Sequence, residues 1–205
     1  MDLSSLPPID HQLRESGYSL IAGVDEAGRG PLAGPVFAAA VILPADNSLP
    51  PVMDSKRISP ARRELLYDEI LSTAIAWHAS SVENHVIDRI NILQATLKAM
   101  VEAVRNLSDL PEMILVDGPL TPFVDSHSRA LTKGDRVSQS IGAASIIAKV
   151  LRDRTMVRYH EEYPLYGFDR HKGYGTREHL EAIARHGPCP IHRRSFAGVK
   201  DYCGG

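Results

Sequence analysis

The sequence predicts an α/β protein: a mixed sheet flanked by helices, with a C-terminal helical segment. Three observations carry this. Two short apolar runs, 20–24 and 36–43, stand on either side of a glycine-rich turn, which is the pattern of a β-hairpin. Apolar residues then recur alternately at helical spacing and in strand-length runs as far as Asp117. The remainder reads mainly as helices, and a hairpin followed by alternating helix and strand gives a sheet with helical layers.

The elements follow in order. The first run ends at Asp25, and Glu26-Ala-Gly-Arg-Gly-Pro-Leu-Ala-Gly34 forms the turn. A proline-bearing loop (Pro44, Pro50, Pro51) leads to Ser59-Pro60, an N-cap followed by proline in the first helical turn. Leu65, Leu66, Ile70, Leu71 and Ala74 continue that helix, and 76–82 reads as a strand. A long helix is expected over 86–107, burying Ile90, Leu93, Leu97, Met100, Val101 and Val104. Met113 to Val116 is a buried strand that stops at Asp117-Gly118-Pro119. A second long helix is expected from Ser138 to about Tyr159, apolar in its first half and charged in its second. Thr176 caps a last helix that ends near Gly187.

Bulk properties exclude several classes. The 205 residues suit a single domain, 1–205, and 43% hydrophobic with 23% charged residues is a soluble, globular composition. The apolar run 36–43 is far too short to span a bilayer, and residues 1–20 lack a signal-peptide core. The two cysteines, Cys189 and Cys203, make no disulfide framework, so a reducing cytoplasm is expected. Net charge is −2, yet Arg170 to Lys200 holds seven Lys or Arg against two Glu, with four histidines. Such a strip is either a solvated surface or a set of phosphate contacts.

Two strands end in carboxylates, at Asp25-Glu26 and at Asp117, and a further acid, Asp135, lies just before the Ser138 helix. Each alone suits a turn or cap. Brought together, they would repel one another and raise each other's pKa, and a hard divalent cation with all-oxygen ligands, Mg²⁺ or Mn²⁺, would relieve this. Two such ions roughly 3.5–4 Å apart support in-line attack of water on a phosphodiester. Neighbours on a regular strand face opposite sides, so Asp25 and Glu26 are expected to share a site only where the strand ends or distorts. Gly28-Arg29-Gly30 lets backbone approach a ligand closely, but it matches no dinucleotide or P-loop fingerprint. No zinc spacing and no Gly-x-Ser-x-Gly elbow occurs.

Taken together, the motifs carry a resemblance. Gly23-Val-Asp-Glu-Ala-Gly-Arg-Gly-Pro-Leu-Ala-Gly-Pro-Val36 resembles the N-terminal signature of type-2 ribonucleases H. Asp54-Ser-Lys56, Asn91-Ile-Leu-Gln-Ala-Thr96, Val116-Asp-Gly118, Lys133-Gly-Asp135 and Ala144-Ser-Ile-Ile-Ala-Lys149 follow in that family's order. His171-Lys-Gly-Tyr-Gly-Thr176 and Gly187-Pro-Cys-Pro-Ile-His-Arg-Arg-Ser-Phe196 resemble the closing segments of bacterial ribonuclease HII. The resemblance implies a ribonuclease H-like core over 20–165 and a substrate-contacting segment over 166–205. It implies an endonuclease that hydrolyses RNA in RNA–DNA hybrids and cuts 5′ of ribonucleotides embedded in duplex DNA. Asp25, Glu26, Asp117 and Asp135 would be the catalytic, metal-binding carboxylates, holding two Mg²⁺ or Mn²⁺ ions. Gly28, Arg29 and Gly30 would read the ribose 2′-OH, and Tyr174 would pack on the neighbouring sugar. Lys56, and with it Arg193, would hold phosphate. A monomer is expected, with no membrane partner. The final Asp201-Tyr-Cys-Gly-Gly205 carries no clamp-binding peptide. The alternatives are another two-metal nuclease or resolvase on the same fold, or a non-catalytic hybrid-binding module.

Overall fold

The two apolar runs do form a hairpin. In the computed structural model, which describes residues 8–45, 58–124 and 127–203, β1 (Ile21–Ala27) pairs antiparallel with β2 (Val36–Ile42) from Ala22↔Ile42 to Ala27↔Phe37. β3 (Ala76–Val82) extends the sheet beyond β2. On the other side β4 (Met113–Asp117) lies parallel to β1, and β5 (Ser128–Leu131) lies parallel to β4. The order is β3-β2-β1-β4-β5, which places β1 at the centre. Its first five residues are buried without alternation, as a strand covered on both faces requires.

Helices cover both faces. α2 (Pro60–Thr73) and α4 (Gln139–Glu162) lie on one, where Leu66, Tyr67, Ile70, Ala143 and Ile147 pack with Ala39 and Val41. α3 (Asn84–Arg105) lies on the other, against Val24, Ala38, Ala40, Ile114 and Val116. α1 (Ile9–Glu15) packs Leu13 with Ile21 of β1, Met113 and Leu115 of β4 and Ile141 of α4, and its Asp10 carboxylate accepts from the Gln139 and Ser140 amides at the start of α4. α5 (Phe168–His171) and α6 (Arg177–His186) build a separate apolar cluster with Leu32, Met156, Ile191 and Val199. None of the described helices is long and apolar enough to cross a membrane.

Two helix starts fall where the caps predict: the Ser59 and Thr176 hydroxyls accept from the amides of Arg62 and His179. Ser138, expected as the first helical residue, is the N-cap instead and accepts from the Ile141 amide. The long helix over 86–107 differs. It begins at Asn84 and is broken at Asn91, whose φ of 68° and ψ of 164° are not helical. The Asn91 side chain then accepts from the Gln94 amide and so caps the second half. The buried face also differs: Ala95, Ala99 and Ala103 are fully buried while Leu93 is 37% exposed. The break resets the helical phase, and small residues let the second half sit close to the sheet. α1, β5 and α5 are too short for any period in the sequence to announce them.

Candidate active site

The site forms where β4 stops. The parallel register runs from Ile21↔Met113 to Val24↔Val116, so Asp25 and Asp117 come next on neighbouring strands and face the same side. That side belongs to α4. Gly23 lets the helix approach, since a Cβ there would stand 2.0 Å from the Ser140 carbonyl carbon. This contact carries Ser145 under Asp25, to which its hydroxyl bonds. Asp117 accepts from the Gly134 amide at 2.7 Å, which ties the turn bearing Asp135 to the end of β4.

The strand does not end or distort at Asp25, contrary to expectation. β1 stays paired to β2 through Ala27↔Phe37. It is β4 that stops, leaving one edge of β1 uncovered beyond Val24 and letting the longer Glu26 side chain join the same pocket. Asp25, Glu26 and Asp117 all line this pocket, together with Gly28, Arg29, Gly30 and Tyr174. Burial, and then the charges of Glu26 and Asp117, push the Asp25 carboxyl well above its ordinary range. Burial also raises Glu26, against the pull of Arg29, whose guanidinium stands 3.3 Å from it. Asp135 is buried in the 3-10 turn Gly134–Arg136 beside Asp117 but does not line the pocket. Among the described residues, no three His, Cys, Asp or Glu side chains stand as a finished metal cage. The donor set itself suits a hard cation: three carboxylates in one pocket, with Asp25 raised partly by the charges of Glu26 and Asp117, and Glu26 partly by that of Asp117.

Arg193 is not a phosphate contact. Its side chain is fully buried, with Nε donating to the Gly34 carbonyl at 3.0 Å, Nη1 to Arg29 at 2.9 Å and Nη2 to Gly28 at 2.6 Å. Burial, and then the charge of Arg152, push its pKa down to about 9. Arg152 is buried beside it and donates to the carbonyls of Pro35, Ala33 and Lys172. Gly28, at φ +96°, leaves room for that side chain; a Cβ would meet Arg152 Nε at 2.0 Å. Other members of the strip are paired at or near the surface. Arg170 pairs with Glu178, Arg177 with Glu181, and the Lys172 ammonium donates to the Asp169 carbonyl.

Two of the strip's histidines are buried in a chain of hydrogen bonds. The Cys189 amide donates to His192 Nδ1 at 2.9 Å, which leaves the His192 proton on Nε2, 3.0 Å from His179 Nε2. His179 Nδ1 then donates to the Tyr174 carbonyl at 2.9 Å. Burial lowers both pKa values to about 4, so both rings are neutral. Tyr174 itself is 45% exposed, with its ring at the pocket beside Gly30.

Asp25, Glu26, Asp117, Gly28, Arg29, Gly30 and Tyr174 are thus brought together, Asp135 lies behind them, and Lys56 falls outside the described residues. Arg63, Ser145 and Lys149 also line the pocket. No role was anticipated for them. The i, i+4 spacing of Ser145 and Lys149 on one helix is a signal that points to a shared face, whereas Arg63 gives none.

Comparison with known proteins agrees with the motifs. The family model described as ribonuclease HII matches residues 22–199. Ribonuclease HII of Geobacter sulfurreducens is 56% identical over 92% of this chain and 87% of its own. That of Caldicellulosiruptor bescii is 52% identical over 92% and 91%. Among solved structures, RNase HII of Archaeoglobus fulgidus, determined in a complex with PCNA, superposes with a TM-score of 0.75 at 28% identity, covering 87% of this chain and 95% of that one. With a family model spanning most of its length and relatives more than half identical to it, the chain belongs to the ribonuclease HII family.

Proposed function

We propose that this protein is an endonuclease that hydrolyses RNA in RNA–DNA hybrids and cuts 5′ of ribonucleotides embedded in duplex DNA, leaving 3′-OH and 5′-phosphate ends. One observation carries the reading beyond family membership. A cluster of carboxylates and a glycine-rich turn suited to a ribose share one pocket.

Asp25, Glu26 and Asp117 would hold divalent cations, Mg²⁺ or Mn²⁺, with Asp135 approaching from the adjoining turn. Bound there, the ions would supply Lewis acidity at the phosphate and lower the pKa of a water. The protein's own groups do the rest. Ser145 and the Glu26 amide, which donates to Asp25 Oδ1 at 2.7 Å, fix the Asp25 carboxylate in one orientation. The Gly134 amide does the same for Asp117. The Gly28-Arg29-Gly30 backbone meets the 2′-OH, a group that both donates and accepts. The exposed Tyr174 ring packs on the adjacent deoxyribose, where an added hydroxyl would crowd it.

The test uses two duplexes of one sequence, with and without a single ribonucleotide, and a continuous RNA–DNA hybrid, each with Mg²⁺, Mn²⁺ or a chelator. Cutting of the hybrid and on the 5′ side of the ribonucleotide, with the all-DNA duplex intact and no cutting in chelator, is the expected result. Equal cutting of the all-DNA duplex would instead favour a general two-metal nuclease.

A further inference from the structure

We infer that Arg193 is a positioning residue for ribose discrimination: from beneath the Gly28-Arg29-Gly30 turn, it aims the Arg29 and Gly30 amides at the substrate. The inference rests on the reading of that turn as the ribose-contacting element.

Arg193 Nη2 and Nη1 bind two successive carbonyls, those of Gly28 and Arg29, at 2.6 and 2.9 Å. All described peptide bonds are trans. In a trans peptide, the C=O of one residue and the N–H of the next point in opposite directions. Carbonyls drawn down to Arg193 therefore force the Arg29 and Gly30 amides to point away from it. Arg193 is fully buried and does not line the pocket, whereas all three turn residues do. The turn thus lies between Arg193 and the pocket, and the two amides face the pocket.

The fork is what makes the arrangement specific. A guanidinium presents donors in one rigid plane, so a single side chain fixes two peptide planes relative to each other. Its third contact, Nε to the Gly34 carbonyl at 3.0 Å, anchors that plane to the far end of the turn. The Arg193 amide donates to the Leu32 carbonyl at 2.8 Å, and the Leu32 amide donates to the Gly173 carbonyl at 2.8 Å. The same residue is therefore linked to the segment that carries Tyr174, the other half of the reading surface. A lysine at 193 keeps a positive charge but has one point donor group, and it cannot hold both planes.

Two measurements test this. The first compares wild type with Arg193→Lys for binding to one duplex with and without a single ribonucleotide, in Ca²⁺ in place of Mg²⁺ to suppress cutting. Wild type is expected to prefer the ribonucleotide duplex. Arg193→Lys is expected to lose most of that preference while keeping its affinity for the all-DNA duplex within about threefold. A variant that retains the wild-type preference overturns the role of Arg193 alone. No preference in wild type overturns the ribose reading of the turn, and the inference with it. The second measurement needs no variant, so misfolding of Arg193→Lys cannot shelter the idea. It follows ¹H–¹⁵N amide exchange in wild type. Slower exchange at Arg29 and Gly30 with the ribonucleotide duplex than with the all-DNA duplex supports the proposed direction of the amides. Equal exchange with both overturns it.

Discussion

Ionised Asp25 sits where charge is disfavoured, buried beside two other carboxylates. A carboxyl whose pKa rises on folding holds its proton more tightly in the native state. Its contribution to stability is complete below the unfolded value near 3.8 and is lost as pH rises through the folded value. Without metal at pH 7, the charge therefore destabilises the protein. Asp25→Asn is predicted to stabilise the protein in chelator by on the order of 1 kcal/mol or more, seen as a higher melting temperature, and the gain should shrink toward pH 4. Melts at both pH values check this; no gain at pH 7 would contradict the buried-charge account. Asp117→Asn preserves shape and the acceptor for Gly134 but removes a charge. It is predicted to lower hybrid cleavage at least about a hundredfold, roughly 2.7 kcal/mol in barrier, while hybrid binding by filter or anisotropy assay changes by less than about threefold. Tyr174→Ala should reduce cutting at a lone ribonucleotide far more than cutting of a long hybrid, and Tyr174→Phe should be milder if the ring face does the packing. Equal losses on the two substrates would assign Tyr174 a general supporting role. At this scale the strand-end acids and the turn glycines were legible in the sequence, but it was the family resemblance that brought them into one site, since each alone suited a turn or cap. The role of Arg193 was not legible. A basic run in sequence says nothing of which side chains fold inward, and three backbone carbonyls from residues 28, 29 and 34 lie more than 150 positions away.

Among the elements, capping explains what could be foreseen. Ser59 and Thr176 each bond to an amide three residues on, so sequence and structure state the same fact, and Ser138 does likewise where the sequence marked only a helix start. The four-residue β5 was hidden because it exists only by pairing with β4, and the break at Asn91 because the apolar spacing runs on across it. The contact between α4 and β1 is the element-level feature on which the site depends most. Gly23 leaves no space between the strand and the backbone of Ser140. Gly23→Ala is predicted to push the start of α4 away, to destabilise by about 1–3 kcal/mol or more, and to lower activity beyond what the folded fraction explains, since Ser145 and Asp25 would separate. Urea denaturation paired with activity per folded molecule checks it. Activity that merely tracks the folded fraction would show that the Ser145 contact is dispensable.

The whole molecule joins a central sheet to a C-terminal lobe whose core includes neutral His179 and His192. A histidine with a lowered folded pKa stabilises above its unfolded value of 6.5 and loses that contribution as pH falls toward about 4. Urea midpoints are therefore predicted to fall from pH 7 to pH 4, each ring removing at most about 1.4 kcal/mol for every pH unit crossed. Because Asp25 acts in the opposite direction, the decisive comparison is with His179→Asn, whose pH slope should be shallower; an unchanged slope would remove the pair from the account. The sequence predicted layers of helix and sheet, and the family resemblance put Tyr174 beside the turn's ribose, yet nothing in it showed that Arg193 reaches back to fasten the first hairpin. That reach has a consequence for synthesis. The chain emerges from the ribosome from its N-terminus, and the hairpin with Asp25 and the glycine turn is made early. Its fastening residue arrives 164 positions after Arg29. Contacts so remote along the chain form late and slowly. A nascent chain stalled after residue 162 would have all of α4, every pocket carboxylate and the Arg152 contacts to the turn, but not the Arg193 fork that binds the Gly28 and Arg29 carbonyls. Ribose reading by the turn, on the role inferred for Arg193, thus awaits the exit of residue 193 from the tunnel, whereas the carboxylates are in place earlier.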